Sequence, residues 1–130
     1  METSYTIFLV DDDQFLLSMY VAKFQSSGHK VISFTSGREL LGALRERVQK
    51  IDALLLDIIM PDMNGFEILE ELRREKLAQG AKIIILSNQG QDADMKHAKQ
   101  FNVDGYIVKA SAIPSEVVEN TINIIEQKTS

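Results

Sequence analysis

Short apolar runs alternate with longer amphipathic segments five times along this chain of 130 residues. Several runs are continuously apolar, as at residues 83–86, and this pattern is typical of strands that are buried on both faces of a parallel sheet. We therefore predict five strands, over residues 5–10, 30–34, 53–56, 82–86 and 105–108.

The segments that follow the strands carry apolar residues at helical spacing. The first segment places five large apolar side chains on one helical face before Gly28, namely Phe15, Leu16, Met19, Tyr20 and Phe24. Residues 37–48, 65–76 and 92–101 also predict helices, and Pro114 marks the start of a last helix that reaches Ile125.

A strand followed by a helix, repeated five times, predicts an α/β fold with a five-stranded parallel sheet that is doubly wound, with helices on both faces. The length of 130 residues is that of one ordinary domain, and no linker or low-complexity segment interrupts the pattern. We expect a single domain over residues 1–130, with its core over about residues 5–126.

Composition narrows the functional classes. The net charge of −5 is spread evenly along the chain, so the sequence lacks the basic patch of a nucleic-acid or membrane-surface protein. The absence of cysteine excludes disulfides and thiolate metal sites. Neither a signal peptide nor an apolar run long enough to span a bilayer is found, so we expect a cytoplasmic protein.

Candidate chemistry lies where the strands end, because ligands of doubly wound sheets bind beyond the carboxyl ends of the strands. The residues that follow the predicted strands supply several carboxylates, a hydroxyl and an ammonium, namely Asp11, Asp12 and Asp13, then Asp57, Ser87 and Lys109. Neighbouring residues of a regular strand point to opposite faces, so Asp11 and Asp12 can share a pocket only after the strand has ended. Asp13 is expected to cap the first helix.

Several carboxylates at one edge of the sheet repel each other unless a positive charge lies among them. The single ammonium of Lys109 is too little, so we infer a bound cation. The oxygen ligands favour Mg²⁺, or Mn²⁺ in its place, and Mg²⁺ commonly keeps several waters and shares phosphate oxygens. The sequence therefore predicts a weak, solvent-filled metal site that a phosphoryl group completes.

These residues resemble the signature of response-regulator receiver domains, the phosphorylated modules of two-component signalling. The acid pair Asp11 and Asp12, the segment of residues 57–65, Ser87 and the segment of residues 106–109 match the family pattern in order. The resemblance extends over about residues 7–125 and implies the flavodoxin-like receiver fold. In length and layout the chain is similar to single-domain chemotaxis regulators.

The resemblance implies a role for each residue of the site. Asp57 would be the phosphoacceptor, a nucleophile that becomes an aspartyl phosphate. Asp12, Asp57 and the backbone carbonyl of Ile59 would hold Mg²⁺, with Asp11 acting behind them through a water. Lys109 would neutralise charge on the transferred phosphoryl group.

The resemblance also implies an output and partners. Ser87 would bind a phosphoryl oxygen, and a coupled rotation of Tyr106 would alter the surface formed by the fourth helix, fifth strand and fifth helix. A sensor histidine kinase or a histidine phosphotransfer protein would donate the phosphoryl group, and a downstream protein would bind that surface. A phosphorylation-dependent homodimer is a further option, and we expect a switch rather than a turnover enzyme.

Two residues depart from the family pattern. Ala110 follows Lys109 where the family usually has proline, which leaves the cis or trans state of that peptide bond open. Asn88 follows Ser87 where the family usually has a very small residue, and a bulkier side chain there predicts slower phosphorylation, slower hydrolysis, or both.

Two other functions remain open at this point. A binding module could keep the receiver fold and signal without phosphoryl transfer. A small Mg²⁺-dependent phosphatase of the haloacid dehalogenase kind could use Asp11 as nucleophile and Asp13 as acid, although Phe15 stands where that motif has threonine or valine. His97 could suggest a phosphocarrier, but we expect it to be an ordinary exposed residue.

Overall fold

The computed structural model describes residues 3–46, 50–87, 92–109 and 112–127. Strands and helices alternate along these residues, as the hydrophobic pattern predicts. Their bounds are β1 Thr6–Val10, α1 Gln14–Ser26, β2 Lys30–Phe34, α2 Gly37–Glu46, β3 Ala53–Leu56, α3 Gly65–Glu75, β4 Lys82–Ser87, α4 Asp92–Gln100, β5 Gly105–Val108 and α5 Pro114–Glu126. The prediction that α2 continues beyond Glu46 falls on residues 47–48, which lie outside the described residues.

The strands form one sheet in the order β2-β1-β3-β4-β5, and every neighbouring pair is parallel. The chain runs from β1 outward to β2 and then crosses back over β1 to β3. The direction of winding therefore reverses between β1 and β3, and a crevice opens at the carboxyl ends of these two strands. The predicted doubly wound parallel sheet is confirmed, and it places the site between β1 and β3.

Each central strand is buried on both faces, which explains its continuously apolar sequence. In β1, Ile7 and Leu9 pack with α1 and α5, whereas Phe8 and Val10 pack with α2 and α3. The four residues of β3 alternate between the same two clusters, and all of them are buried. The sheet thus divides the core into two layers, because successive side chains of a strand point to opposite faces.

The helices begin where the sequence supplies caps. Asp13 caps α1 as predicted, with its carboxylate accepting the N–H of Leu16 at 3.1 Å. At α3 the side chain of Asn64 accepts the N–H of Glu67 at 2.9 Å, and Glu67 accepts the N–H of Asn64 at 3.0 Å. Among the described residues, no helix is both long enough and apolar enough to cross a membrane.

Candidate functional site

Asp11 and Asp57 occupy the crevice between β1 and β3. The backbone N–H of Asp57 donates to the carbonyl of Val10 at 3.1 Å, and the N–H of Asp11 donates to that of Phe34 at 3.1 Å. Both residues therefore stay tied to the sheet just beyond their strands. Both side chains are buried, with 0% of Asp11 and 5% of Asp57 exposed.

The site residues extend the side of the sheet that α1 and α5 cover. Leu9, Leu55 and Ile107 belong to the core layer beneath these two helices. Two positions further along each chain segment stand Asp11, Asp57 and Lys109. Alternate residues of a strand share a face, so β1, β3 and β5 each deliver one charged group to the same end of that layer.

Lys109 joins the two buried carboxylates. Its Nζ lies 2.6 Å from Oδ2 of Asp11 and 3.4 Å from Oδ2 of Asp57. Burial acts to lower the pKa of Lys109, but the hydrogen bond with Asp11 and the charge of Asp57 outweigh it, so the pKa is raised overall. The ammonium therefore stays protonated and is held between the two acids.

Burial dominates the titration of Asp57 and raises its pKa from 3.8 to about 6. The charge of Lys109 opposes this rise, the charge of Asp11 adds to it, and a hydrogen bond from the backbone of Ile59 opposes it. At neutral pH the carboxylate is mostly ionised, as a nucleophile must be.

Three carboxylates form what we call the acid cluster, which consists of Asp11, Asp12 and Asp57. One oxygen of each lies within 4.8 Å of the others, and Asp12 is the exposed member. Counting Lys109, the formal charge of the group is −3 + 1 = −2, which a divalent cation would neutralise. The oxygen donors and this charge fit Mg²⁺ or Mn²⁺.

The loop after β3 is held close to Asp57 by a glycine. The N–H of Gly65 donates to the carbonyl of Ile58 at 2.9 Å. A Cβ on Gly65 would lie 2.6 Å from the backbone oxygen of Asp57, too close for any other residue without a shift of the loop. The loop also carries Asp62 at a φ of 69° and leaves 64% of Ile59 exposed two residues after Asp57.

Ser87 and Tyr106 lie on the other side of the sheet. Ser87 ends β4 with 1% of its side chain exposed, and Ile85, two positions earlier, packs with the layer beneath α2 and α3. Tyr106 is half-buried, packs against the same layer and is the direct neighbour of Ile85 across the β4–β5 pair. The two predicted switch residues therefore lie near each other on neighbouring strands of the sheet.

Asp11 and Asp13 are engaged in ways that disfavour the phosphatase hypothesis. Oδ1 of Asp11 accepts the N–H of Asp13 at 2.9 Å while Oδ2 binds Lys109, so both of its oxygens have partners. The carboxylate of Asp13 is used in capping α1. Neither group is thus placed as a free nucleophile or acid.

The two departures from the family pattern, Asn88 and Ala110, lie outside the described residues, and so does the Lys109–Ala110 bond.

Sequence reasoning missed two features near the site. Tyr20, which reads as an ordinary core residue, lies close enough to the site for Asp11, Asp57 and Lys109 to act on its pKa. His97 is exposed as predicted, but its ring stacks on Phe66 with centroids 3.9 Å apart. Tyr20 lies two turns into the first helix, and this position could have indicated that it is near the site. Nothing in the sequence indicates the stack of His97 on Phe66.

The similarity to known proteins agrees with this geometry. The family model of the response regulator receiver domain matches residues 7–120. The response regulator SaeR of Staphylococcus aureus strain USA300 is 33% identical over 119 residues, which cover 92% of this chain and 50% of SaeR. The chain thus spans about half the length of the curated relatives it matches.

Solved structures show the same fold. The chemotaxis response regulator CheY4 of Vibrio cholerae superposes with a TM-score of 0.83 at 23% identity, covering 94% of this chain and 99% of CheY4. A CheY-like receiver domain protein of Methanospirillum hungatei gives 0.83 at 23% identity, with 95% of each chain covered. Fold, order of motifs and family match agree, and the chain belongs to the family of response regulator receiver domains.

Proposed function

We propose that this chain is a phosphorylation-dependent switch that accepts a phosphoryl group on Asp57. The observation that carries the proposal is the environment of this carboxylate. It is buried in the crevice between β1 and β3, lies 3.4 Å from the ammonium of Lys109, and belongs to the acid cluster. Membership of the receiver family, which implies phosphorylation-based two-component signalling, supports the assignment.

Asp12, Asp57 and the backbone carbonyl of Ile59 would hold Mg²⁺ or Mn²⁺. Asp11 would act behind them through a water, since its own oxygens bind Lys109 and the N–H of Asp13. A bound divalent ion would neutralise charge on the phosphoryl oxygens during transfer. The exposure of Asp12 supports this arrangement, because it leaves the cluster open to a hydrated ion and a phosphate.

The chemical step uses residues of this chain in separate roles. A carboxylate oxygen of Asp57 forms a bond to phosphorus while the bond from phosphorus to the donor's leaving group breaks. The leaving group is a histidine nitrogen in a phosphorylated protein donor, or the acetate oxygen in acetyl phosphate. Lys109, held by Asp11, offers its ammonium to a phosphoryl oxygen as negative charge builds there.

The output would pass to the opposite side of the sheet. Ser87 would bind a phosphoryl oxygen, and Tyr106, its near neighbour on β5, would change its packing and so alter the α4–β5–α5 surface. A sensor histidine kinase or a histidine phosphotransfer protein would be the donor. A downstream protein, or a second copy of this chain in a phosphorylation-dependent homodimer, would bind the altered surface.

We also propose that the switch works in the cytoplasm, makes no direct contact with nucleic acid through this domain, and has no enzymatic turnover beyond slow loss of its own phosphate. The net charge of −5 supports the absence of a nucleic-acid surface. The chain belongs to a family of signalling domains that generally have no enzymatic turnover. This membership supports the proposed absence of turnover and the cytoplasmic location.

The experiment is incubation with acetyl phosphate and Mg²⁺, followed by intact-protein mass spectrometry. The wild-type chain should gain the mass of one phosphoryl group, and Asp57→Asn should gain none. Asp62→Asn is the matched control, because it makes the same change in the same loop at an exposed position, and asparagine tolerates the positive φ of 69° there. Chelation of Mg²⁺ should abolish the gain. A wild-type chain that gains no mass would favour the binding module that signals without phosphorylation.

A further inference from the structure

A cavity of about 490 Å³ lies at the amino-terminal edge of the sheet, opposite the edge at which Asp57 follows β3. It is bounded by the end of α3, the loop that leads into β4, and the segment between α4 and β5. Its volume is within the range of small-molecule sites, roughly 300–1,000 Å³. No residue of the acid cluster lines it, so it is separate from the proposed phosphorylation site.

The wall of the cavity is largely apolar. Leu72 of α3 is buried, whereas Leu77, Ile83 and Phe101 are half-buried against the core layer beneath α2 and α3. Apolar surface that is left partly open to water contributes favourably when a ligand covers it. The cavity therefore favours a ligand with an apolar body.

Backbone hydrogen bonds hold the wall in place. The N–H of Ala81 donates to the carbonyl of Ala78 at 3.2 Å within the loop before β4. On the facing segment, the carboxylate of Asp104 accepts the N–H of Ile83 at 2.8 Å, and the N–H of Asp104 donates to the carbonyl of Ile83 at 2.7 Å. A ligand thus meets a preformed wall, which lowers the entropy cost of binding.

Left-handed backbone is concentrated around this cavity. Four residues other than glycine have a positive φ in the described part of the chain, and three of them line the cavity, namely Lys76 at 55°, Ala78 at 54° and Asn102 at 56°. Lys76 ends α3 and Asn102 follows α4, where a left-handed residue commonly ends a helix. Ala78 ends no helix, and the conformation is unfavourable for alanine. Because residues held in this way cluster at ligand sites, Ala78 supports a functional use of the cavity.

The charges of the lining favour an anion. The guanidinium carbon of Arg73 lies 5.6 Å from the centre of the Phe101 ring, so the cation lies over an apolar part of the wall. Arg73 and Lys76 take part in none of the ion pairs that the described residues form. With the carboxylate of Asp104, the formal charge of the lining is +2 − 1 = +1, in a chain whose net charge is −5. The cavity therefore complements a ligand with one negative charge.

We propose that this cavity binds a small carboxylate with an aromatic or branched apolar body. The body lies against Leu77, Ile83 and Phe101, and the carboxylate accepts hydrogen bonds from the guanidinium of Arg73, whose geometry matches two carboxylate oxygens. The bound molecule joins α3 to the segment that follows α4. Binding requires no phosphoryl transfer, so its failure and that of the function proposed above are distinguishable.

The test titrates the ¹⁵N-labelled wild-type chain with three compounds that share one carbon skeleton and differ in their polar group. These are 3-phenylpropionate, which is anionic, 3-phenylpropan-1-ol, which is neutral, and 3-phenylpropan-1-amine, which is cationic. Amide chemical shifts in NMR spectra report both the affinity and the place of binding.

We expect 3-phenylpropionate to shift the amide signals of residues 72–83 and 101–104 with a dissociation constant of about 4 mM, as expected for a ligand of this size. At the same residues the alcohol should bind about five-fold more weakly, because it lacks the charged contact with Arg73, and the amine more weakly still. Equal affinities of the three compounds, or 3-phenylpropionate shifts that lie outside these residues, would overturn the proposal.

A pair of arginine variants tests the contact with the carboxylate. Arg73→Met removes the charge and keeps an apolar side chain at an exposed position, so the variant should fold. It should weaken the binding of 3-phenylpropionate about five-fold and leave that of the alcohol unchanged. Arg38→Met is the matched control, because Arg38 is also exposed but lies on α2, outside the cavity, and it should match the wild type. If Arg73→Met keeps the wild-type preference for the carboxylate, the proposal is wrong.

Discussion

Two helices on opposite sides of the sheet, α1 and α4, are held by very different amounts of buried side chain. On one side, α1 buries Leu17, Tyr20 and Phe24, and it lies against α5, which buries residues of its own. On the other side, Ala98 is the only buried residue among the described side chains of α4, residues 95–100. The exposed ring of His97 adds a stack on Phe66.

This difference fits the two tasks of the proposed switch. The proposed acceptor site would have to hold its charged groups within a fraction of an ångström, and it lies at the end of the firmly packed α1–α5 layer. The proposed output surface would have to change at a low cost in free energy, and elements that move are those with few buried contacts. The proposed chemistry would thus lie at the end of a firmly packed layer, and the proposed responsive helix would be the lightly held α4.

Truncating one phenylalanine of α1 and one beside α4 tests whether the two helices are packed differently. Phe24→Ala, at a fully buried position, should lower the free energy of unfolding by about 3–5 kcal/mol, because it leaves a cavity in the α1–α5 layer. Phe101→Ala, at a half-buried position beside α4, should cost about 1–2 kcal/mol. Urea denaturation measures both. Equal losses would mean that α1 and α4 are packed alike.

Asp57→Asn should stabilise the protein at neutral pH in the absence of Mg²⁺. The folded-state pKa of about 6 lies above the ordinary value of 3.8, so the favourable contribution of the protonated carboxyl is present below 3.8 and is lost as pH rises through 6. Asp57→Asn has no carboxyl that ionises at this position, so its stability does not fall in this way. It should be about 1–3 kcal/mol more stable than the wild type at pH 7.

Thermal unfolding between pH 4.5 and 7.5 measures this difference, with Asp62→Asn as the control. The melting temperature of the wild type should fall relative to Asp57→Asn as the pH rises across this range. If the gap between the two proteins does not change with pH, the carboxyl of Asp57 does not titrate as proposed.

Magnesium should stabilise the wild-type chain by binding the folded acid cluster. At ten times its dissociation constant, a ligand that binds only the folded state adds about 1.4 kcal/mol, which raises the melting temperature of a domain of this size by about 2–6 °C. Asp12→Asn and Asp57→Asn should lose most of this rise. A wild-type melting temperature that is unchanged across millimolar Mg²⁺ would count against the metal site.

Of these variants, His97→Ala should have the smallest effect on stability. It tests how much one contact of α4 contributes to holding that helix. The stack on Phe66 joins α4 to α3, so its loss should cost about 0.5–1 kcal/mol and speed amide hydrogen exchange in α4. Exchange in α1 and α5 should stay unchanged. Lys96→Ala, which changes the exposed neighbouring residue, is the control. If both variants speed amide exchange in α4 equally, the stack on Phe66 does not hold the helix.

The fold and the charged residues of the site were predictable because both depend on local patterns. Buried strands have continuously apolar sequences, and the carboxyl ends of parallel strands meet at one edge, so the convergence of Asp11, Asp57 and Lys109 follows from their places in the sequence. The predicted cap at Asp13 is confirmed for the same reason.

Other features depend on distances that a sequence does not encode. Nothing in the spacing says that Lys109 binds Asp11 more closely than Asp57, or that burial raises the pKa of Asp57 to about 6. The stack of His97 on Phe66 joins residues on two different helices, and each residue alone reads as an ordinary surface or core residue. These features come from tertiary packing alone.

The residue that carries the phosphoryl group can be mapped within the sequence. The wild-type chain is phosphorylated with acetyl phosphate and Mg²⁺, digested, and sequenced by tandem mass spectrometry. The phosphoryl group should lie on Asp57 and on no other residue. A phosphoryl group on Asp11, Asp12 or His97 would contradict it.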